Sequence, residues 1–150
     1  MKNPTVDEIL TGFLATSCFN KQPATCSRYR RVDAQLRRYL EATGHRFLES
    51  SKVDLLGLEQ AYELEGACSR IMIAEDLVHA LADFLRDPWL LHDGNDRRSQ
   101  ISQTSRLAQW LCSRGLVDTQ LDSCALIETR IAVEHARQGY TRDPRPSHGL

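Results

Sequence analysis

Apolar residues recur along this chain at the three-and-four spacing that puts them on one side of a helix, and the pattern predicts about six helices. Ile9, Leu10, Phe13 and Leu14 make the first stripe. Thr5, with Glu8 three residues on, opens it as a capping box, and it closes near Thr16. Tyr29, Val32, Leu36, Tyr39 and Leu40 make the second, capped by Thr25 or Ser27 and ended by Gly44 as its C′ residue. A third helix starts at Ser51, carries Leu55, Leu56, Leu58, Tyr62 and Leu64 on its apolar side, and ends at Gly66. The fourth runs from about Ser69 to Arg86 around Ile73, Leu77, Leu81, Phe84 and Leu85, and Asp87-Pro88 breaks it.

After a turn over His92 to Arg98, a fifth helix spans about Ser99 to Arg114, with Ile101, Thr104, Ala108, Leu111 and Cys112 inward. A sixth spans about Thr119 to Gln138, with Leu121, Ala125, Ile131 and His135 on one side. No segment alternates as a strand does. The predicted class is all-α, with residues 1–139 as one helical domain and 140–150 as a flexible basic tail.

Charge changes this picture more than composition does. The net charge of −1 conceals a segregation along the chain. Residues 21–46 hold seven Lys/Arg against two acids, 47–96 hold three against eleven, and 97–117 hold four against none. The second helix therefore has an apolar face and a face of arginines, Arg30, Arg31, Arg37 and Arg38, with Arg28 at its edge. A planar guanidinium matches phosphate oxygens better than an ammonium does. Since that face is nearly free of acids, few i, i+4 pairs are expected to neutralise it. The fifth helix adds Arg97 and Arg98 at its start and an outward face of Ser102, Gln103, Arg106, Gln109 and Ser113 without a carboxylate. Glu75, Asp76 and Asp83 mark the outward side of the fourth helix as a poor surface for a polyanion.

Catalytic and ligand constellations are not found. The chain has no Gly-rich phosphate loop, no H-E-x-x-H and no G-x-S-x-G, so neither a catalytic residue nor a cofactor is expected. Its histidines and cysteines lack zinc-ligand spacing, so no metal is expected. His79 and His135 read as structural residues at or near core faces. Cys18, Cys26, Cys68, Cys112 and Cys124 are odd in number and include no C-x-x-C pair, which suits reduced thiols in a cytoplasmic protein. No apolar run approaches the ~20 residues of a membrane span, and the opening MKNPTVDEIL lacks a signal-peptide pattern.

Thr25, Tyr29, Leu36 and Leu40 resemble the signature that opens the second helix of the core-binding domain of tyrosine recombinases, the phage-integrase type. Ser105, Leu107, Trp110, Leu111, Gly115, Leu116 and Asp118 are similar to that domain's last DNA-facing helix. The resemblance covers about Thr5 to Asp118. It implies a SAM-like orthogonal bundle that clamps one side of a duplex through its second and last helices, the two basic segments already singled out. The family has one helix between those two, so the resemblance calls for an insertion here, or for an alignment that makes Leu77–Asp87 the last helix. The family's catalytic arginine, H-x-x-R and tyrosine have no counterparts after Asp118, and Tyr140 is no substitute, so no DNA cleavage is expected.

The function expected is non-catalytic binding of duplex DNA through Thr25, Arg28, Arg30, Arg31, Arg37, Arg38, Arg97, Arg98, Ser102, Gln103 and Arg106. Self-association or a recombinase partner is compatible with it. The alternative is a protein-interaction module, in which the acidic stretch 47–96 or the sixth helix docks a basic or helical partner.

Overall fold

Thr5 shows how the first helix starts: its hydroxyl accepts the Glu8 amide at 3.2 Å, and the Glu8 carboxylate accepts the Thr5 amide at 2.8 Å. This reciprocal cap, worth about 1 kcal/mol, opens α1 (Val6–Cys18). The computed structural model describes residues 3–141, with side chains described through Gly139. Among the described residues there are seven α-helices and no strand. They are α1, α2 (Pro23–Thr43), α3 (Ser50–Tyr62), α4 (Ala67–Ile71), α5 (Ala74–Phe84), α6 (Gly94–Ser113) and α7 (Ser123–Thr141). A 3-10 turn, Gly44–Phe47, follows α2.

The larger of two apolar clusters is shared chiefly by α1, α2, α5 and α6, and a smaller one joins Ala82, Leu85 and Ile101 to Ala132, Val133 and Ala136 of α7. Val6, Ile9 and Leu10 of α1 meet Val32, Leu36, Tyr39 and Leu40 of α2, Leu77, Leu81 and Phe84 of α5, and Leu107 and Leu111 of α6. All five residues of the predicted α2 stripe are buried. The Tyr39 ring packs between Phe84 and Trp89, and its hydroxyl donates to the Ala80 carbonyl at 2.6 Å.

Several boundaries differ from the sequence-based expectation. Pro23 begins α2 with no side-chain cap, so neither Thr25 nor Ser27 caps it. Gly44 is right-handed (φ −58°) and is no C′ residue. A Cβ there would fall 2.9 Å from Met72 Sδ, so close packing is what demands glycine. Glu49, not Ser51, is the N-cap of α3, which ends at Tyr62. Gly66, at φ +79°, instead precedes α4.

The expected fourth helix is two helices, because Met72 and Ile73 are extended. Val6 N–H donates to the Met72 carbonyl at 2.8 Å, and the Asp76 carboxylate accepts the Ile73 amide at 3.0 Å, fixing the break from outside. Asp76 is therefore buried and bound to Lys52 at 3.2 Å, not on an outward face. Asp83 is half-buried.

Asp93 caps the amides of Asn95 and Asp96, so α6 starts where a turn was expected. Asp118 holds the turn that displaces the start of α7 to Ser123. The α7 helix buries Ala125, Thr129, Ala132, Val133 and Ala136, whereas Leu121, Ile131 and His135 are exposed. His79 is exposed as well, 3.5 Å from the buried carboxylate of Asp122. Helix α7 runs on to Thr141, so residues 140 and 141 are not tail; the rest of the predicted tail lies outside the described residues.

Cys18 and Cys26 form a disulfide across the α1–α2 connection, which corrects the expectation of five reduced thiols. Among the described residues, no helix is long and apolar enough to cross a membrane.

Candidate nucleic-acid interface

The α2 arginines Arg30, Arg31, Arg37 and Arg38 leave the helix in two rows, because residues seven apart fall within about 20° of each other. Arg30 and Arg37 turn to the α1 side. The Arg37 guanidinium reaches Asp7 at 2.6 Å and Asp33 at 3.0 Å and donates to Thr11 at 3.4 Å. Arg30 lines the same cleft with Thr11, Leu14 and Ala15. On the α6 side, Arg31 makes a bidentate pair with Asp96 at 2.9 and 3.0 Å. Arg28 bonds the Thr25 hydroxyl at 3.3 Å. Arg38, seven residues after Arg31 and so on the same row, is exposed and donates to the Gln35 side-chain oxygen at 2.7 and 3.2 Å.

The expectation of a face with few neutralising pairs is thus corrected. Asp33 stands four residues before Arg37, and Asp7 and Asp96 arrive from other helices. Partial burial works against the charge on Arg37, yet bonds and charges from Asp7 and Asp33 outweigh it and raise its pKa. Burial in turn pushes the Asp33 carboxyl up, against the pull of Arg37. The Asp96 hydrogen bond raises the pKa of Arg31. Arg31 is the outer partner, 54% exposed against 15% for Asp96, so it remains within reach of an external anion.

Helices α2 and α6 pack side by side, and this joins the two basic segments that the charge pattern separates along the chain. The Arg31–Asp96 pair crosses the seam, as does a long contact of 3.5 Å from Arg106 to the Tyr29 hydroxyl. Outward from α6 stand Arg98, which bonds Asn95 at 3.2 Å, half-buried Ser102, and exposed Arg106, Gln109 and Ser113.

Two expected contact residues of α6 face inward instead. Gln100 is fully buried, and Arg97 and Gln103 flank it at i−3 and i+3, on the same side of the helix. Arg97 uses its Nε to hold the Leu91 carbonyl at 2.9 Å. Gln103 is 4% exposed, and its Oε1 has no protein partner. It lines a cavity of about 20 Å³ with Leu10, Tyr29, Val32 and Leu107, room for one water molecule. Thr25 is half-buried and serves Arg28.

The expected set therefore divides. Arg28, Arg31, Arg38, Ser102 and Arg106 share the α2–α6 surface, Arg98 is exposed further round α6, Arg30 and Arg37 lie round the α1 edge, and Thr25, Arg97 and Gln103 are withdrawn. Sequence reasoning missed Asp96, the carboxylate embedded in this surface. Asp93 as an N-cap was the signal that placed it on the helix. Among the described residues, no group of three or more His, Cys, Asp or Glu is arranged to hold a metal ion. Compared with family models, curated proteins and solved structures, the chain matches none.

Proposed function

We propose that this chain is a non-catalytic duplex-DNA-binding domain, similar in role to the core-binding domain of tyrosine recombinases, that grips the phosphate backbone with the α2–α6 surface. The observation that carries this reading is the adjacency of the two basic helices. Arg31 and Arg106, far apart in sequence, come to one surface whose α6 half carries Asp96, mostly buried under Arg31. A second support is the arrangement of the core. The α3 helix packs chiefly on α4 and buries only Leu56, so α5 is the single large core helix between α2 and α6. That agrees with the helix order the resemblance implies, with α3–α4 as an insertion. Arginines neutralise phosphates here, while Ser102 is the polar side chain beside them that could meet a base edge.

Salt dependence of duplex binding, followed by fluorescence anisotropy, tests the proposal. Roughly four phosphate contacts give a log–log slope of about −3 to −4. Replacing Arg38 and Arg106 together with alanine lowers the slope by about 2 and weakens binding to all sequences alike. Absence of duplex binding at ~10 µM protein in low salt ends the reading, since non-specific binders of this kind reach that range.

A further inference from the structure

The α3 helix turns one apolar residue inward and leaves an apolar stripe facing out. Leu56 faces inward, 4% exposed, with half-buried Lys52, Glu59 and Gln60 around it. Leu55, Leu58 and Tyr62 lie at i, i+3 and i+7 on the other side, 50%, 71% and 84% exposed. Leu64 continues this surface past the helix end at 70%. Isolated exposed leucines are ordinary, but a run of them at helical spacing marks an interaction surface.

Its rim is acidic. From Glu49 to Glu65 there are five carboxylates, Glu49, Asp54, Glu59, Glu63 and Glu65, against the single cation Lys52. Among the described residues, Lys52 is spent on Asp76, and Glu59 alone of the five has a close cation partner, Arg70 at 2.6 Å. Among those residues, the carboxylates of Glu49, Asp54 and Glu65 pair with no cation. A second copy docked α3 to α3 would set this rim against itself, and an anionic lipid surface would be repelled by it.

We infer that the outer stripe of α3 docks a partner's amphipathic helix whose apolar face is bordered by lysine and arginine. Leu55, Leu58 and Tyr62 supply the apolar seam, and the rim selects a basic partner. Helix-on-helix docking reads anchors at i, i+3 and i+7, the spacing present here. The acids also exclude DNA from this face, so the inference is independent of the α2–α6 reading.

The test uses two synthetic peptides with leucine at heptad positions a and d, one with lysine and one with glutamate at e and g, titrated into the full chain by calorimetry. The lysine peptide is expected to bind and the glutamate peptide to fail. Leu58→Ser with Tyr62→Ser should weaken the lysine peptide about tenfold or more, as loss of central anchors does. Asp54→Lys with Glu65→Lys keeps the stripe, leaves three acids against three lysines, and should erase the preference between peptides, so misfolding of one variant leaves the other informative. Equal binding of both peptides by the parent chain, or binding indifferent to both variants, overturns the inference. So does a dimer in sedimentation that Leu58→Ser abolishes, or vesicle binding with the same dependence, because the stripe then serves self-association or lipid.

Discussion

Cys68 sits against the backbone of Gly44, where a Cβ would come within 3.4 Å of its sulfur, and beside the Glu41 carboxylate, which accepts its amide at 3.4 Å. Burial first, and the Glu41 charge second, push its thiol up to about 11 from an ordinary 9.0. An unfolded thiol starts to ionise near the lower value, whereas the folded one keeps its proton. Unfolding then releases a proton, so stability falls as pH rises through that window. Tyr39, pushed up to about 12 by burial, adds the same sign from pH 10.0 upward. Urea midpoints measured in small pH steps should decline from about pH 9, and Cys68→Ala should flatten the decline below about pH 10. An unchanged decline in the variant would show that other groups cause it.

At the scale of the element, Gln100 decides how the chain passes from α5 to α6. Its amide donates to the Phe84 and Trp89 carbonyls at 3.1 and 3.0 Å, and its carbonyl oxygen accepts the Leu91 amide at 2.8 Å. Gln35 adds a second donor to Trp89 at 3.0 Å. Gln100→Leu fills the same space but orphans buried backbone groups, chiefly the Leu91 amide. At 1–3 kcal/mol for each group left unmade, the loss should be roughly 2–4 kcal/mol in chemical denaturation. A loss under ~0.5 kcal/mol, as for an exposed position, would mean water replaces the side chain. This device was not legible, because a polar residue within a helix reads as surface until its neighbours are known. One-sided apolar stripes were legible, so α1, α2 and the α5 core came out as expected. The α3 helix misled because Leu56, its one buried residue, adjoins an exposed apolar stripe, and the Met72–Ile73 break has no Gly or Pro to announce it. The pairs Arg37–Asp7 and Arg31–Asp96 span 30 and 65 residues, beyond any helical period. That is why the arginine face looked freer than it is, although Asp33, four residues before Arg37, was legible at helical spacing.

For the whole molecule, folding turns a charge pattern along the chain into two separate surfaces, basic on α2–α6 and acidic around the outer side of α3. The basic one contains its own counter-ion. When a phosphate approaches, Arg31 must exchange Asp96 for it and leave a mostly buried carboxylate behind, so part of the gain is lost. Asp96→Asn removes that competitor while keeping a hydrogen-bonding side chain in the first turn of α6. On the DNA-binding proposal, the salt slope should then steepen by about 1, one further phosphate neutralised, with tighter binding at low salt. Asp54→Asn, which removes the same charge from α3, is the control. Net charge alone predicts equal effects of the two substitutions, through the protein's overall field. A local exchange at Arg31 predicts a steeper slope for Asp96→Asn only, and parallel lines for Asp54→Asn and the parent chain. Equal slopes for all three chains would place Arg31 outside the DNA contact and confine the proposed grip to Arg28, Arg38 and Arg106.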